Sequence, residues 1–214
     1  MQYYGQAGQD RYLNEKIFQG KEVGFFVDVG AHDGIHYSNS YFFEKHKNWN
    51  GICIEPLPEI FHELRKNRKC ICIDGAISRE QGYQEFLCLK GYSEMLSGLA
   101  NEYDSRHIER IKQELHVHGG NYQLIKVKTY PLQLIFDIHG ITHVDFCSID
   151  TEGSELTVLQ SIDFSKVQIE CIIAENNYKE NTVVEYLQKL GYQLVDQLDL
   201  DDVFVRSTSN LLKD

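Results

Sequence analysis

The sequence predicts an α/β fold: a Rossmann-like, seven-stranded, mostly parallel sheet with helices on both faces and a C-terminal antiparallel hairpin. Three observations carry this expectation. Short apolar runs alternate with segments of helical periodicity along most of the chain. The runs from Val23, Gly51 and Val144 each end in an acidic residue, with glycine following in the first, as buried parallel strands entering a turn do. The last two strand-like segments, Tyr192 to Val195 and Asp202 to Val205, lie close enough to pair as a hairpin.

Taken in order, Gln9 to Phe18 reads as a short helix with Leu13, Ile17 and Phe18 on one side. Val23 to Gly30 is the first strand. Ser38 to His46 follows as a helix that Ser38 or Asn39 is placed to cap. Gly51 to Glu55 forms the second strand and runs into a helix from Pro58 to Asn67, with Ile60, Phe61 and Leu64 inward. Cys70 to Ile73 is the third strand. The middle is less regular: Gln84 to Leu89 and Leu124 to Thr129 read as strands on either side of a polar helical stretch from Glu102 to Leu115. Beyond Pro131, Leu132, Leu134, Ile135 and Ile138 have helical spacing. A strand from Val144 to Asp150, a helix from Glu155 to Ser161, a strand from Ile169 to Glu175 and a helix from Thr182 to Leu190 complete the alternation, with Gly191 closing the last helix.

The 214 residues suffice for one sizeable core, so one domain is expected over 1–214, with residues 1–20 as an N-terminal helical cap. A net charge of −11 argues against a general grip on nucleic acid, which needs a basic surface. No apolar run approaches the roughly 20 residues that span a bilayer, and the N-terminus lacks a basic segment followed by an apolar one, so neither membrane nor export is expected. The six cysteines form no CxxC pair and mostly fall in apolar strands, as buried free thiols of a cytoplasmic protein would.

In open parallel sheets, ligands bind outside the carboxyl ends of the strands. Asp28, Glu55, Asp74, Asp150 and Glu175 all fall at or just past such ends. The loop Asp28-Val29-Gly30-Ala31-His32-Asp33-Gly34 places glycines where backbone turns sharply or meets a ligand. Its spacing is not that of a dinucleotide loop, and the flanking carboxylates of Asp28 and Asp33 repel a pyrophosphate. They suit S-adenosylmethionine (SAM), which carries a sulfonium and an ammonium; an ordinary strand-to-helix turn is the plain alternative. Glu55, before Pro56, is placed to accept both ribose hydroxyls. Asp74 is placed for the adenine amino group, with Ala76 and Ile77 on the ring, and reads equally as a solvated turn residue.

Asp150, Glu175 and Asn176 would meet at one rim as an all-oxygen set suited to Mg²⁺ or Mn²⁺. The same residues read otherwise as a SAM contact and a structural carboxylate. Glu152 and Glu155 are candidate general bases, although a helix N-terminus favours acidic residues for no catalytic reason.

The run Gly24 to Gly34, followed by Ser38-Asn39-Ser40, Gly51 to Pro56 and Ile149 to Glu155, resembles the FkbM family of methyltransferases; Tyr4 to Asp10 and Met95 to Leu99 are also similar. The resemblance covers residues 4 to 206. It implies a SAM-binding fold and O-methylation, typically of sugar or polyketide hydroxyls, with Ser38 holding the methionine carboxylate at a helix N-terminus. The acidic rim is also similar to that of metal-dependent catechol O-methyltransferases. Those place a basic residue three positions after the first acid, where this chain has Gly153, which leaves the base open. A small-molecule or glycan acceptor is the expected partner, and neither the oligomeric state nor membership of a longer polypeptide can be read from the residues. A nicotinamide-dependent oxidoreductase and a non-catalytic SAM- or glycan-binding module are the competing readings.

Overall fold

The computed structural model describes residues 1–212. Its central sheet contains β1 (Phe25–Val29), β2 (Asn50–Glu55), β3 (Ile71–Asp74), β8 (His143–Ile149), β9 (Gln168–Glu175), β10 (Tyr192–Leu198) and β11 (Asp201–Arg206), in the spatial order β10-β11-β9-β8-β1-β2-β3. The five strands from β9 to β3 in that order run parallel, and β11 pairs antiparallel with both β9 and β10. This is the seven-stranded sheet and terminal hairpin that the alternation predicts. The strand order reverses between β1 and β8, and the carboxyl ends of these strands form the crevice where such sheets take ligands.

Period-two alternation splits β1 between two cores. Val27 and Val29 face one cluster with Leu132, Phe136, Val158, Leu159 and Leu187. These come from α5 (Leu132–His139), α6 (Glu155–Gln160) and α7 (Thr182–Lys189). Phe26 faces the other cluster with Leu13, Phe42, Phe43, Trp49 and Leu64. Those residues belong to the N-terminal helix, α2 (Tyr41–His46), α3 (Pro58–Asn67) and the turn before β2. The N-terminal helix is α1 (Gln9–Tyr12) continued by a π-helical turn over Leu13–Ile17. Asp28 shares its parity with Phe26, so a carboxylate enters the aromatic core.

Between β3 and β8 the chain builds a second sheet from β4 (Ala76–Ile77), β5 (Gly82–Lys90), β6 (Gly98–Leu99) and β7 (Asn121–Tyr130), in the order β4-β7-β5-β6. The two strands expected in the middle pair with each other, antiparallel from Gly82↔Thr129 to Lys90↔Asn121. Helix α4 (Ser105–His118) lies between β6 and β7, capped by the Asp104 carboxylate accepting from the Arg106 N–H. The insertion therefore forms a wall beside the carboxyl ends of the main sheet.

Some local expectations need correction. The cap position of α2 is Ser40, not Ser38 or Asn39; Ser38 Oγ nevertheless accepts from the Tyr41 N–H at 3.1 Å. All six cysteines are free thiols, and Cys70 and Cys72 on the edge strand side are only half-buried. Among the described residues no helix is long and apolar enough to cross a membrane.

Candidate functional site

The loop after β1 is tied to its neighbours by backbone. Gly30 has φ +84°, and a methyl group at its α-carbon would stand 1.8 Å from the carbonyl oxygen of Asp150. Only glycine lets the ends of β1 and β8 come so close. Gly30 and Ala31 both donate to the Ile54 carbonyl, at 3.1 and 3.0 Å, and Asp150 donates to that of Val29 at 3.0 Å. Glu55 joins loop and strand: Oε2 accepts from the His32 N–H at 3.0 Å and Oε1 from that of Leu57 at 2.8 Å. Burial pushes this carboxyl up to about 7, although both backbone bonds oppose the shift.

All of these residues but Ala31 line a cleft of about 650 Å³, open solvent included. Gly30, Glu55, Pro56, Ala76, Asp150 and Glu152, all read from the sequence, line it. Leu57, Ile77, Phe86 and Leu99 supply apolar walls, and His32, Glu94, Met95 and Ser97 close one side. His32 is in the left-handed region with φ +49°, and its Nε2 lies 3.5 Å from Glu94 Oε1 across the opening. Phe86 and Glu94 come from the insertion, whose place against the cleft depends on a β5–β7 pairing far apart in sequence.

The other residues assigned to the cofactor lie outside the cleft lining. Ala31 is buried in the aromatic core. Asp33 turns onto its own loop, accepting from the N–H groups of Ile35 and His36 at 2.9 Å each and pairing with the His36 ring. Asp74 makes a surface ion pair with Lys128 at 2.8 Å. Asp28 is buried beneath the loop and accepts from Ser40 Oγ at 2.5 Å and Ser38 Oγ at 3.4 Å, so Ser38 faces inward toward Asp28. Behind them Arg68, unmarked by any sequence signal, donates to Ser40 Oγ at 2.9 Å and to the Gly34 carbonyl at 3.1 Å. Its Nε pairs with Glu44 at 2.8 Å. Burial pushes the Asp28 carboxyl up; the Arg68 charge and the two hydroxyls oppose it.

At the far end of the cleft Asp150, Glu152 and Glu175 bring one oxygen each within 4.8 Å of one another. Glu152 stands in the left-handed region, φ +55°, which turns its carboxylate toward Asp150. Oε2 of Glu175 is buried and has no hydrogen-bond partner among the described residues. Burial, followed by repulsion from Asp201, Glu155 and Asp28, pushes the Asp150 carboxyl up to about 7. The Asp150 side chain also reaches solvent at the cleft mouth. Glu152 and Glu175 are raised in the same direction, by burial and then by Asp150.

Asn176, assigned to this set from the sequence, is engaged elsewhere. Its amide nitrogen donates to the Glu180 carbonyl and to Asp202, and its oxygen accepts from the Glu180 N–H. Glu152 takes the third position instead. Glu155 is occupied too: its Oε1 accepts from the Thr151 N–H and hydroxyl and from the Gly153 N–H, pinning the turn into α6.

A second cleft, of about 740 Å³, shares Asp150, Glu152 and Met95 with the first. Gln6, Gln9, Asn39, Arg110, Glu175 and Asp201 line it, so the N-terminal segment, α4 and the terminal hairpin all reach it. The acidic cluster therefore stands where two clefts meet.

The methyltransferase FkbM domain model matches residues 28–194. The chain belongs to the FkbM methyltransferase family. That membership carries SAM as the methyl donor, and the first cleft fits it: an apolar slot for an aromatic base, a buried Glu55 at the end of β2, and a glycine approach at Gly30. Among solved structures, the METTL16 MTase domain superposes with a TM-score of 0.51 at 12% identity, over 94% of this chain and 66% of that one. Its likeness shows the class of fold. Methyltransferase FkbM from Methylobacillus flagellatus KT gives a TM-score of 0.49 at 13% identity, over 86% of this methyltransferase and 43% of that chain. The chain thus spans 66% and 43% of these two relatives. Comparison with curated proteins finds no match.

Proposed function

We propose that this methyltransferase transfers the methyl group of SAM to a hydroxyl of a sugar, glycan or related hydroxylated metabolite, assisted by Mg²⁺ or Mn²⁺. The observation that carries the reading is the meeting of two clefts at Asp150, Glu152 and Glu175. The first cleft takes the donor and the second the acceptor. Carboxylates alone, one with a buried unpartnered oxygen, form a donor set for a hard divalent cation and not for zinc.

The work of the protein's residues follows from their positions. Glu55, fixed by two backbone N–H groups, offers its remaining lone pairs to ribose hydroxyls. Ala76 and Ile77 pack against the base. Asp150, Glu152 and Glu175 would hold the cation, which when bound lowers the pKa of an acceptor hydroxyl. With a cation bound, a cluster carboxylate left free of it would be the group to take the hydroxyl proton. Acidic walls in the second cleft favour a neutral acceptor over a phosphorylated one.

Calorimetric titration with SAM and with NAD tests the donor, and transfer of labelled methyl to a panel of neutral sugars, glycans and an RNA oligonucleotide tests the acceptor. SAM binding without NAD binding, and labelling of a sugar that chelator abolishes and Mg²⁺ or Mn²⁺ restores, are expected. Tight NAD binding without SAM binding would end the donor reading. Labelling of the RNA alone would end the acceptor reading, and chelator-resistant transfer the metal one.

A further inference from the structure

We propose that Arg110 recognises the acceptor in the second cleft, its two terminal nitrogens donating to the oxygens of adjacent hydroxyls on a neutral sugar ring. This rests on the reading of that cleft as the acceptor site. Five carboxylates line the cleft, those of Asp150, Glu152, Glu175, Asp199 and Asp201, and among the described residues Arg110 is its one cation. Ionised carboxylates only accept hydrogen bonds. A sugar hydroxyl that gives its proton to such a wall still has lone pairs, and these need donors.

Most donors of the cleft are already engaged. The side-chain amides of Gln9, Asn39 and Asn177 donate to Asp201, to Ser148 Oγ at 3.0 Å and to Glu152 at 3.4 Å. Gln6 and Tyr37 stand on the exposed rim. Arg110 differs from them. Its Nε donates to Glu114 at 3.0 Å, one turn along α4, while its two terminal nitrogens make no hydrogen bond among the described residues. Arg106, one turn earlier, spends a terminal nitrogen on Asp104 and Glu180. Burial works against the Arg110 charge, and Glu114, Glu152 and Glu175 outweigh it. In return Arg110 opposes the rise that burial and Asp150 give Glu152. The guanidinium therefore stands within electrostatic reach of the acidic cluster, and at 43% exposure its side chain is open to a solute. Held at Nε, a planar fork presents two N–H groups side by side, matched to two oxygens on neighbouring carbons. A two-point grip fixes the ring, which leaves the next hydroxyl to meet the cluster. A carboxylate would fit the same fork, but here it would stand among five others, so the charge of the cleft selects the diol.

The test compares the full-length protein with R110Q and R110K. Labelled methyl transfer from SAM is measured with methyl glycosides of glucose, mannose and galactose, with their monodeoxy analogues, and with glucuronate and galacturonate. Melting and SAM affinity should stay near wild type in both variants, because an exposed pair such as Arg110–Glu114 contributes little. For the glycoside that is labelled, R110Q is expected to raise KM about tenfold or more with little change in kcat. R110K should recover only part of that loss, since it keeps the charge without the fork. Removing one of the two gripped hydroxyls should raise KM in the wild type and add little in R110Q. Wild-type KM in R110Q overturns the proposal, as do losses from R110Q and the deoxy sugar that simply add. Preferential labelling of a uronate overturns the diol assignment. If the wild type binds SAM and labels none of these sugars, the acceptor reading itself fails and the proposal falls with it, whereas glycosides labelled equally well by R110Q sink the proposal alone.

Discussion

Two groups of carboxylates stand at the carboxyl ends of the same sheet, one buried and the other half-buried or exposed, and they differ in what surrounds them. Asp28, Glu55 and Glu155 are supplied with donors: Ser40 and Ser38 with Arg68 behind them, the N–H groups of His32 and Leu57, and the turn at Thr151 and Gly153. Asp150, Glu152 and Glu175 have mainly one another, with Asn177 donating to Glu152 at 3.4 Å, and one Glu175 oxygen accepts no hydrogen bond from the described residues. Burying a charge costs free energy unless a partner compensates it. The first group is compensated within the chain and holds loops in place. The second has fewer such donors among the described residues, and the function proposed above gives its compensation to a cation. Position in sequence does not separate the two groups; the surrounding donors do.

The largest effect that breaks this contrast lies at Arg68. Its side chain is fully enclosed, with its guanidinium 5.2 Å from the Phe26 ring centroid and paired with Glu44. R68M leaves Asp28 and Glu44 buried without a cation, so it is expected to cost about 3–5 kcal/mol in urea denaturation. R68K keeps a charge but loses the fork that reaches Ser40, Gly34 and Glu44 together, and should recover less than half of that loss. A cost under about 1 kcal/mol for R68M would show that the first group does not depend on its internal partners.

A smaller effect is a pH dependence that both groups share and a cation should split. Glu55 titrates at about 7 in the fold against 4.5 in its absence, and Asp150 at about 7 against 3.8. A raised carboxyl binds its proton more tightly folded than unfolded. The stability it contributes is therefore whole below the unfolded value, and declines as pH rises through the interval up to about 7. Melting of the metal-free protein should drop by a few degrees, on the order of 3 °C, between pH 5 and pH 8. Mg²⁺ or Mn²⁺ at pH 8 should restore the share due to Asp150, Glu152 and Glu175 but not that due to Glu55. E55Q should flatten the remaining slope and also weaken SAM binding. A pH 8 melt indifferent to both cations would place the two groups in the same class.

Much of this was legible in the sequence, for reasons that differ by residue. The main sheet was, because its strands are buried on both faces and read as continuous apolar runs, and because parallel strands separated by helices leave few other topologies. Gly30, Glu55, Asp150 and Glu175 were, because the carboxyl end of a strand is a fixed place. What was not legible depends on contacts between distant segments. Arg68 follows a helix with nothing local to set it apart from Arg65, and its role exists only once Ser40 and Glu44 are packed against it. Phe86 and Glu94 reach the donor cleft through the pairing of β5 with β7, which periodicity does not specify. Glu152, expected as a general base, stands in the acidic cluster where Asn176 was expected, because strand ends place backbones, whereas contacts depend on where side chains turn. The left-handed backbone at Glu152 and the Asn176 bonds to Glu180 and Asp202 decide that.

The smallest expected effect concerns Asp74, where the strand-end rule and the structure disagree outright. If position alone decided, Asp74 would hold the adenine amino group, and D74A would weaken SAM by the value of a charged hydrogen bond, about 1.5–3 kcal/mol or at least tenfold. In the structure its carboxylate is paired with Lys128 at 2.8 Å on a half-exposed surface, and the cleft is lined by its neighbours Gly75, Ala76 and Ile77 instead. An exposed pair of this kind contributes about 0–1 kcal/mol to stability and nothing to the donor. D74A should therefore leave SAM affinity within about twofold of wild type, while A76W, which fills the slot beside the base, should abolish binding without disturbing the Lys128 pair. A tenfold loss in D74A would mean that Asp74 leaves Lys128 when the donor binds, and that the acidic rim closes on its ligand.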